Sequence, residues 1–151
     1  MTRQRDPIPM TAMRPSVLFV CVKNGGKSQM AAALMRHRAG SAVAVHSAGT
    51  RPGGSINAES AAAVAEVGAD MSGSHPRPVT PELLRSVDHV IVLGSEATVE
   101  PVLGMAAPIT TWHTDEPSER GIEGMGRMRL IRDDIDVRVQ ALLRDLADST
   151  D

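Results

Sequence analysis

The only cysteine of the chain and its only two lysines fall within one short segment, Cys21-Val22-Lys23-Asn24-Gly25-Gly26-Lys27-Ser28. The apolar run Val17-Leu18-Phe19-Val20 precedes it, and the helix-like Gln29-Met30-Ala31-Ala32-Ala33-Leu34 follows. A thiol at a strand end, a loop with two glycines and a helix start together make an anion cradle. The loop's backbone N–H groups turn inward, and the helix N-terminus adds partial positive charge. The same field favours the thiolate, the form in which cysteine is a nucleophile. A lone cysteine is often only a small buried hydrophobe, but packing alone does not ask for such a loop. Fourteen of the sixteen basic residues are arginine, so lysine at position 27 departs from the chain's usual choice.

The elements that position this segment follow from the apolar pattern. Ser16–Val22 reads as a buried strand of a parallel sheet, continuous rather than alternating. A helix from about Ser28 to Arg38 stops at Gly40. Val43–Ser47 is a second strand, and Arg51-Pro52-Gly53-Gly54 a loop. Asn57 caps a helix through Val64 and Val67 to Gly68. Thr80-Pro81-Glu82 combines a capping hydroxyl, a first-turn proline and an early acid, with Leu83, Leu84 and Val87 facing inward. His89–Leu93 and Ile109–Trp112 are the third and fourth strands. Met128, Ile131, Ile135, Val139, Leu142 and Leu146 recur at helical spacing and mark a long final helix. Alternating strands and helices predict an α/β fold, a parallel sheet with helices on both faces.

The totals narrow the function classes. A chain of 151 residues suits one domain, expected over residues 15–148, after a flexible tail over 1–14 that holds arginines and prolines without apolar periodicity. No apolar run approaches the roughly 20 residues that span a bilayer, and no secretory signal is read at the start. A net charge of −2 argues against a general nucleic-acid binder. One cysteine rules out an internal disulfide and fits a cytoplasmic location. The five histidines lack metal-ligand spacing, so no metal is expected.

Cys21-x5-Lys27-Ser28 after the first strand resembles the C-x5-R-S loop of low-molecular-weight protein tyrosine phosphatases and their arsenate-reductase relatives. The resemblance runs on through Ser28-Gln29-Met30-Ala31, His46-Ser47-Ala48-Gly49-Thr50, Glu66-Val67-Gly68-Ala69-Asp70-Met71-Ser72 and Trp112-x2-Asp115-Glu116-Pro117. The Asn24-Gly25-Gly26-Lys27-Ser28 loop is most similar to that of the arsenate–mycothiol transferases. This resemblance implies a flavodoxin-like three-layer sandwich whose four-stranded sheet has the order 2-1-3-4, with the site at the carboxyl end of strand one. It also implies that Cys21 attacks the central atom of the oxyanion while the backbone of Val22, Lys23, Asn24, Gly25, Gly26, Lys27 and Ser28 holds its oxygens. Asn24 would fix the loop's shape through side-chain hydrogen bonds, the alternative being only a turn residue with a left-handed backbone. Ser28 would donate to the thiolate, act as a helix cap, or both.

The departures from the family pattern are as informative. The family's arginine grips two oxygens at once; Lys27 keeps the charge but loses the planar fork, so oxyanion binding should survive and ester hydrolysis should be poor. The family's acid before proline is here Glu116, with Asp115 in reserve. Pro117 holds the preceding residue extended, which suits a carboxylate over the loop. Ser118 stands where the phosphatases usually carry an aromatic, and no tyrosine exists to stack on a phosphotyrosine ring. Relatives that pass electrons through three cysteines of their own end in an internal disulfide; with Cys21 alone, reduction needs an outside thiol. The resemblance makes that thiol mycothiol, a co-substrate rather than a bound cofactor, with a mycoredoxin-like protein as reductant. Arg51, Arg77 or Arg120 could receive it. The expected substrate is arsenate, with phosphate as competitor; a phosphatase and a non-catalytic oxyanion-binding module are the rival readings.

Overall fold

A computed structural model describes residues 14–149. The tail expected over residues 1–14 falls, Arg14 apart, outside the described residues.

Strand β1 (Ser16–Cys21) is buried from its second residue on, as its unbroken apolar run requires. It pairs in parallel with β2 (Ala44–Gly49) on one side and β3 (His89–Leu93) on the other. β4 (Ile109–Trp112) adds to β3, giving the order β2-β1-β3-β4 expected from the family resemblance. Register follows the pleat. Val17, Phe19, Ile91 and Leu93 enter the core on one face, and Leu18, Val20, Val90 and Val92 enter the other.

The two faces are covered unequally. On the first lie α1 (Lys27–Ala39), α2 (Ala58–Ala65) and α4 (Gly124–Ser149). Every residue of α1 from Ser28 to Met35 is buried, because the helix is held between the sheet and α4. Its basic residues Arg36, His37 and Arg38 gather in the last turn, where they complement the helix dipole. The second face has only the short α3 (Pro81–Ser86) and loop residues such as Ala97. In α4, Met128, Ile131, Ile135, Val139 and Leu146 are buried and Leu142 is partly so, in line with their helical spacing.

Caps behave as their chemistry predicts at two helices. Asn57 accepts from the Ser60 N–H at 2.8 Å, and Thr80 accepts from the Leu83 N–H at 3.1 Å. The N-cap of α1 is instead Gly26, without a side-chain bond, and Ser28 lies one residue inside the helix. The helix-cap reading of Ser28 is therefore corrected: its hydroxyl is needed elsewhere. Past the end of α2, Glu66 meets Arg129 and Arg132 of α4, and its carboxyl is lowered to about 2, chiefly by the hydrogen bonds from Arg129. Among the described residues no helix is long and apolar enough to cross a membrane, and no group of three His, Cys, Asp or Glu could hold a metal ion.

Ile135 is fully buried where α4 meets the first face. Ile135→Ala should lower unfolding free energy by about 2–5 kcal/mol, read from the urea midpoint with an unchanged slope. A loss below about 1 kcal/mol would show that α4 does not close this core.

Candidate active site

The loop from Cys21 to Lys27 connects the end of β1 to α1, with Cys21 the last strand residue and Lys27 the first helical one. Its shape is set by which way its peptides face. The Cys21 carbonyl accepts from Thr50 N–H, Val22 from Arg51, Lys23 from Gly53 and Gly25 from Asn57, at 2.8–3.1 Å. The Asn24 carbonyl accepts from the side chain of Gln29, and that of Gly26 from Met30 N–H. The carbonyls from Cys21 to Gly26 are thus drawn outward. In a trans peptide the N–H points opposite to the C=O, so the amide edges turn toward the space above the thiol.

The segment 50–57 that supplies these donors runs hard against the loop. A Cβ on Gly25 would stand 2.8 Å from the Ser55 carbonyl oxygen. One on Gly49 would meet the Val22 carbonyl oxygen at 2.6 Å. Both positions need glycine for close approach, not for an unusual backbone.

Asn24 is the pivot. It is fully buried and has a left-handed backbone, φ +55°. Its Oδ1 accepts from the Arg77 N–H at 3.0 Å, which fixes the orientation of the amide. Its Nδ2 then donates to Ser28 Oγ at 2.8 Å. Because that oxygen already accepts, the Ser28 hydroxyl proton is free for Cys21 Sγ, 2.9 Å away. The backbone N–H of Asn24 also donates to Sγ, at 3.3 Å. Two donors therefore converge on the sulfur. The left-handed turn and the loop-fixing role of Asn24 coexist.

Lys27 and the two acids are sorted by their partners. Lys27 Nζ pairs with Glu116 Oε1, bringing together residues 89 apart in the chain. Asp115 is gripped by both terminal nitrogens of Arg120, at 2.8 and 3.1 Å, and these bonds hold its carboxyl below the usual carboxylate range. Of the two candidates, Glu116 is the one joined to the loop, and Asp115 faces Arg120. Lys23 is exposed and Val22 half-buried at the rim. Arg77 is spent partly on the Ser47 carbonyl and Arg120 on Asp115. The sequence reading missed Gln29, which is 2% exposed and ties the loop to the His75 carbonyl at 3.3 Å. It also missed the donor segment 50–57, whose contribution is backbone.

Asn24→Ala should cost about 2–4 kcal/mol, since it leaves the Arg77 N–H unpartnered and puts alanine in a left-handed conformation. Asn24→Gly removes the second penalty alone. Both should slow alkylation of Cys21 by iodoacetamide; wild-type rates in both would show that Asn24 does not set the thiol's environment.

Comparisons with known proteins agree with this geometry. The family model described as low molecular weight phosphotyrosine protein phosphatase matches residues 16–150. An arsenate reductase of Halalkalibacterium halodurans is 30% identical over 128 residues, covering 82% of this chain and 91% of its own. The thioredoxin-dependent arsenate reductase of Corynebacterium glutamicum superposes with a TM-score of 0.74 at 33% identity over 90% of this chain, which spans only 63% of that protein's length. A solved arsenate reductase in the phosphate binding state gives a TM-score of 0.73 at 25% identity, covering 87% of this chain and 98% of that one. Sequence, sheet order and thiol loop thus agree: the chain belongs to the low molecular weight phosphotyrosine protein phosphatase family, in the superfamily that includes the arsenate reductases.

Proposed function

We propose that the protein transfers arsenate to an external low-molecular-weight thiol, mycothiol, for reduction to arsenite by a mycoredoxin-type partner. The observation that carries this reading is a lone thiol, Cys21, with two donors on its sulfur at the floor of an oxyanion cradle. In the first step the Cys21 thiol condenses with arsenate: an As–S bond replaces an As–O bond, and the departing oxygen leaves as water. Backbone amides from Val22 to Ser28 and the Lys27 ammonium hold the remaining oxygens. In the second step the external thiol displaces Cys21 from arsenic, forming the arseno-thiol adduct and returning its proton to the Cys21 thiol. Neither step changes the oxidation state of arsenic. In the third a partner thiol attacks the sulfur of the adduct, giving a mixed disulfide and arsenite. The electron pair of the broken As–S bond stays with arsenic, so the two sulfurs together supply two electrons.

Two features favour this over ester hydrolysis. An ester's leaving oxygen carries no proton and needs one delivered by a free acid as the bond breaks, whereas the hydroxyl lost from arsenate leaves as water by taking up the proton that the Cys21 thiol gives up. Glu116, the carboxylate nearest that task, is engaged by Lys27. Moreover, lysine replaces the fork that follows three equatorial oxygens in phosphoryl transfer. The external thiol follows from the single cysteine; its identity as mycothiol rests on the resemblance of the Asn24-to-Ser28 loop to the arsenate–mycothiol transferases. The phosphatase reading keeps one specific support, the family model itself.

Purified protein with arsenate, mycothiol, mycoredoxin and its reducing system should form arsenite. Omission of mycothiol, or replacement by glutathione or thioredoxin, should stop it. Cys21→Ser should reduce the rate at least about a thousandfold. Arsenite without mycothiol would sink the thiol assignment, and normal turnover by the serine variant would sink the nucleophile. Intact anion binding by that variant beside an inert wild type would leave an oxyanion-binding module.

Lys27→Arg should raise hydrolysis of an aryl phosphate about tenfold by restoring bidentate contact. Efficient hydrolysis by the wild type would instead establish the phosphatase.

A further inference from the structure

A cavity of about 460 Å³ lies beside the loop, away from Asp115 and Arg120, bounded by Lys23 and Lys27, by Gly53 and Gly54, and by Arg127 and Ile131 of α4. Its volume suits a small organic molecule rather than a bare oxyanion. Its lining is divided by chemistry. Met30, Met128 and Ile131 give an apolar floor, while Lys23 and Arg127 supply cations; among the described residues no carboxylate lines it. The Nε of Arg127 is buried and has no hydrogen-bond partner. That N–H is closed off from solvent here, so the guanidinium must turn toward the cavity for a ligand to supply its acceptor. Lys27 borders the cavity and also pairs with Glu116, so one wall of the cavity belongs to the loop that carries Cys21.

We propose that this cavity is the subsite for the external thiol, whose acceptor oxygens dock on the Arg127 guanidinium and the Lys23 ammonium while its sulfur reaches past Lys27 to the arsenic on Cys21. The inference rests on the external-thiol reading above and adds a place for that molecule. Arg127, rather than Arg51, Arg77 or Arg120, is the arginine that lines this cavity. The acceptor oxygens are either sugar hydroxyls or carboxylates, and the floor packs against the carbon skeleton. Gly54 has open space around its Cβ position and no left-handed backbone, so a larger side chain there narrows the cavity without strain.

The test uses the full chain, with S-methyl mycothiol and S-methyl glutathione as unreactive probes, followed by calorimetry. Wild type should bind S-methyl mycothiol; binding of S-methyl glutathione in its place overturns the mycothiol assignment. Arg127→Met and Gly54→Leu should weaken that binding about tenfold. In turnover the same variants should raise KM for the thiol about tenfold and leave KM for arsenate within about twofold. Variants that bind the probe like wild type, or a wild type that binds neither, overturn the subsite. So does a rise of both KM values together, which would mark Arg127 as part of the oxyanion site. Absence of arsenite formation by wild type, with probe binding still lost in Arg127→Met, overturns the external-thiol reaction while the subsite stands.

Discussion

A backbone loop can bind an anion only if its N–H groups face inward, and that forces its carbonyls to find donors on the other side. In this fold the donors come from the 50–57 segment, from Gln29 and from the first turn of α1. The chain has to pass so close to the loop that Gly25 and Gly49 have no room for a side chain. It must also reverse within the loop, and Asn24 does this with a left-handed backbone while its amide bridges Ser28 and the Arg77 N–H. The site is therefore held from outside by backbone and from within by one buried amide. The end of β2, the start of α1 and the segment before α3 all converge on it. That convergence explains why the buried polar groups near the loop, Asn24, Ser28 and Gln29, each have partners.

Much of this was legible in the residues. The apolar run before Cys21, the paired glycines and the alternating elements marked β1, the loop and α1. The third and fourth strands fall where the apolar residues put them. The strand order came from family likeness, because no pattern within single strands distinguishes 2-1-3-4 from other parallel orders. What stayed hidden has a common cause. Gln29 follows a serine at a helix start and reads as surface; it is turned inward, where its amide donates to the Asn24 and His75 carbonyls. The donors of 50–57 are main-chain groups, which leave no trace in residue type. Ser28 has the composition of a helix cap, yet the cap falls to Gly26 because the serine oxygen is held between Asn24 and Cys21. Glu116 and Asp115 are adjacent and chemically alike, so only the tertiary fold separates one beside Lys27 from one beside Arg120.

On the proposed reading, the same loop serves a different leaving group from that of a phosphatase. Hydrolysis of an aryl ester asks for a free acid above the thiol and for a fork that tracks three oxygens through the transition state. Here the acid is tied to a lysine, the fork is absent, and the residue after Pro117 is an exposed serine with no ring to flank a substrate. Each change weakens ester chemistry, and none disturbs the donors on Cys21 or the inward amides. Transfer to an outside thiol needs that retained half of the site, together with an open approach for a second molecule. The missing aromatic wall and the four glycines that border the adjoining cavity leave such an approach. The departures from the family pattern are then mutually consistent: they remove what holds an aromatic ester and leave space where a thiol must enter.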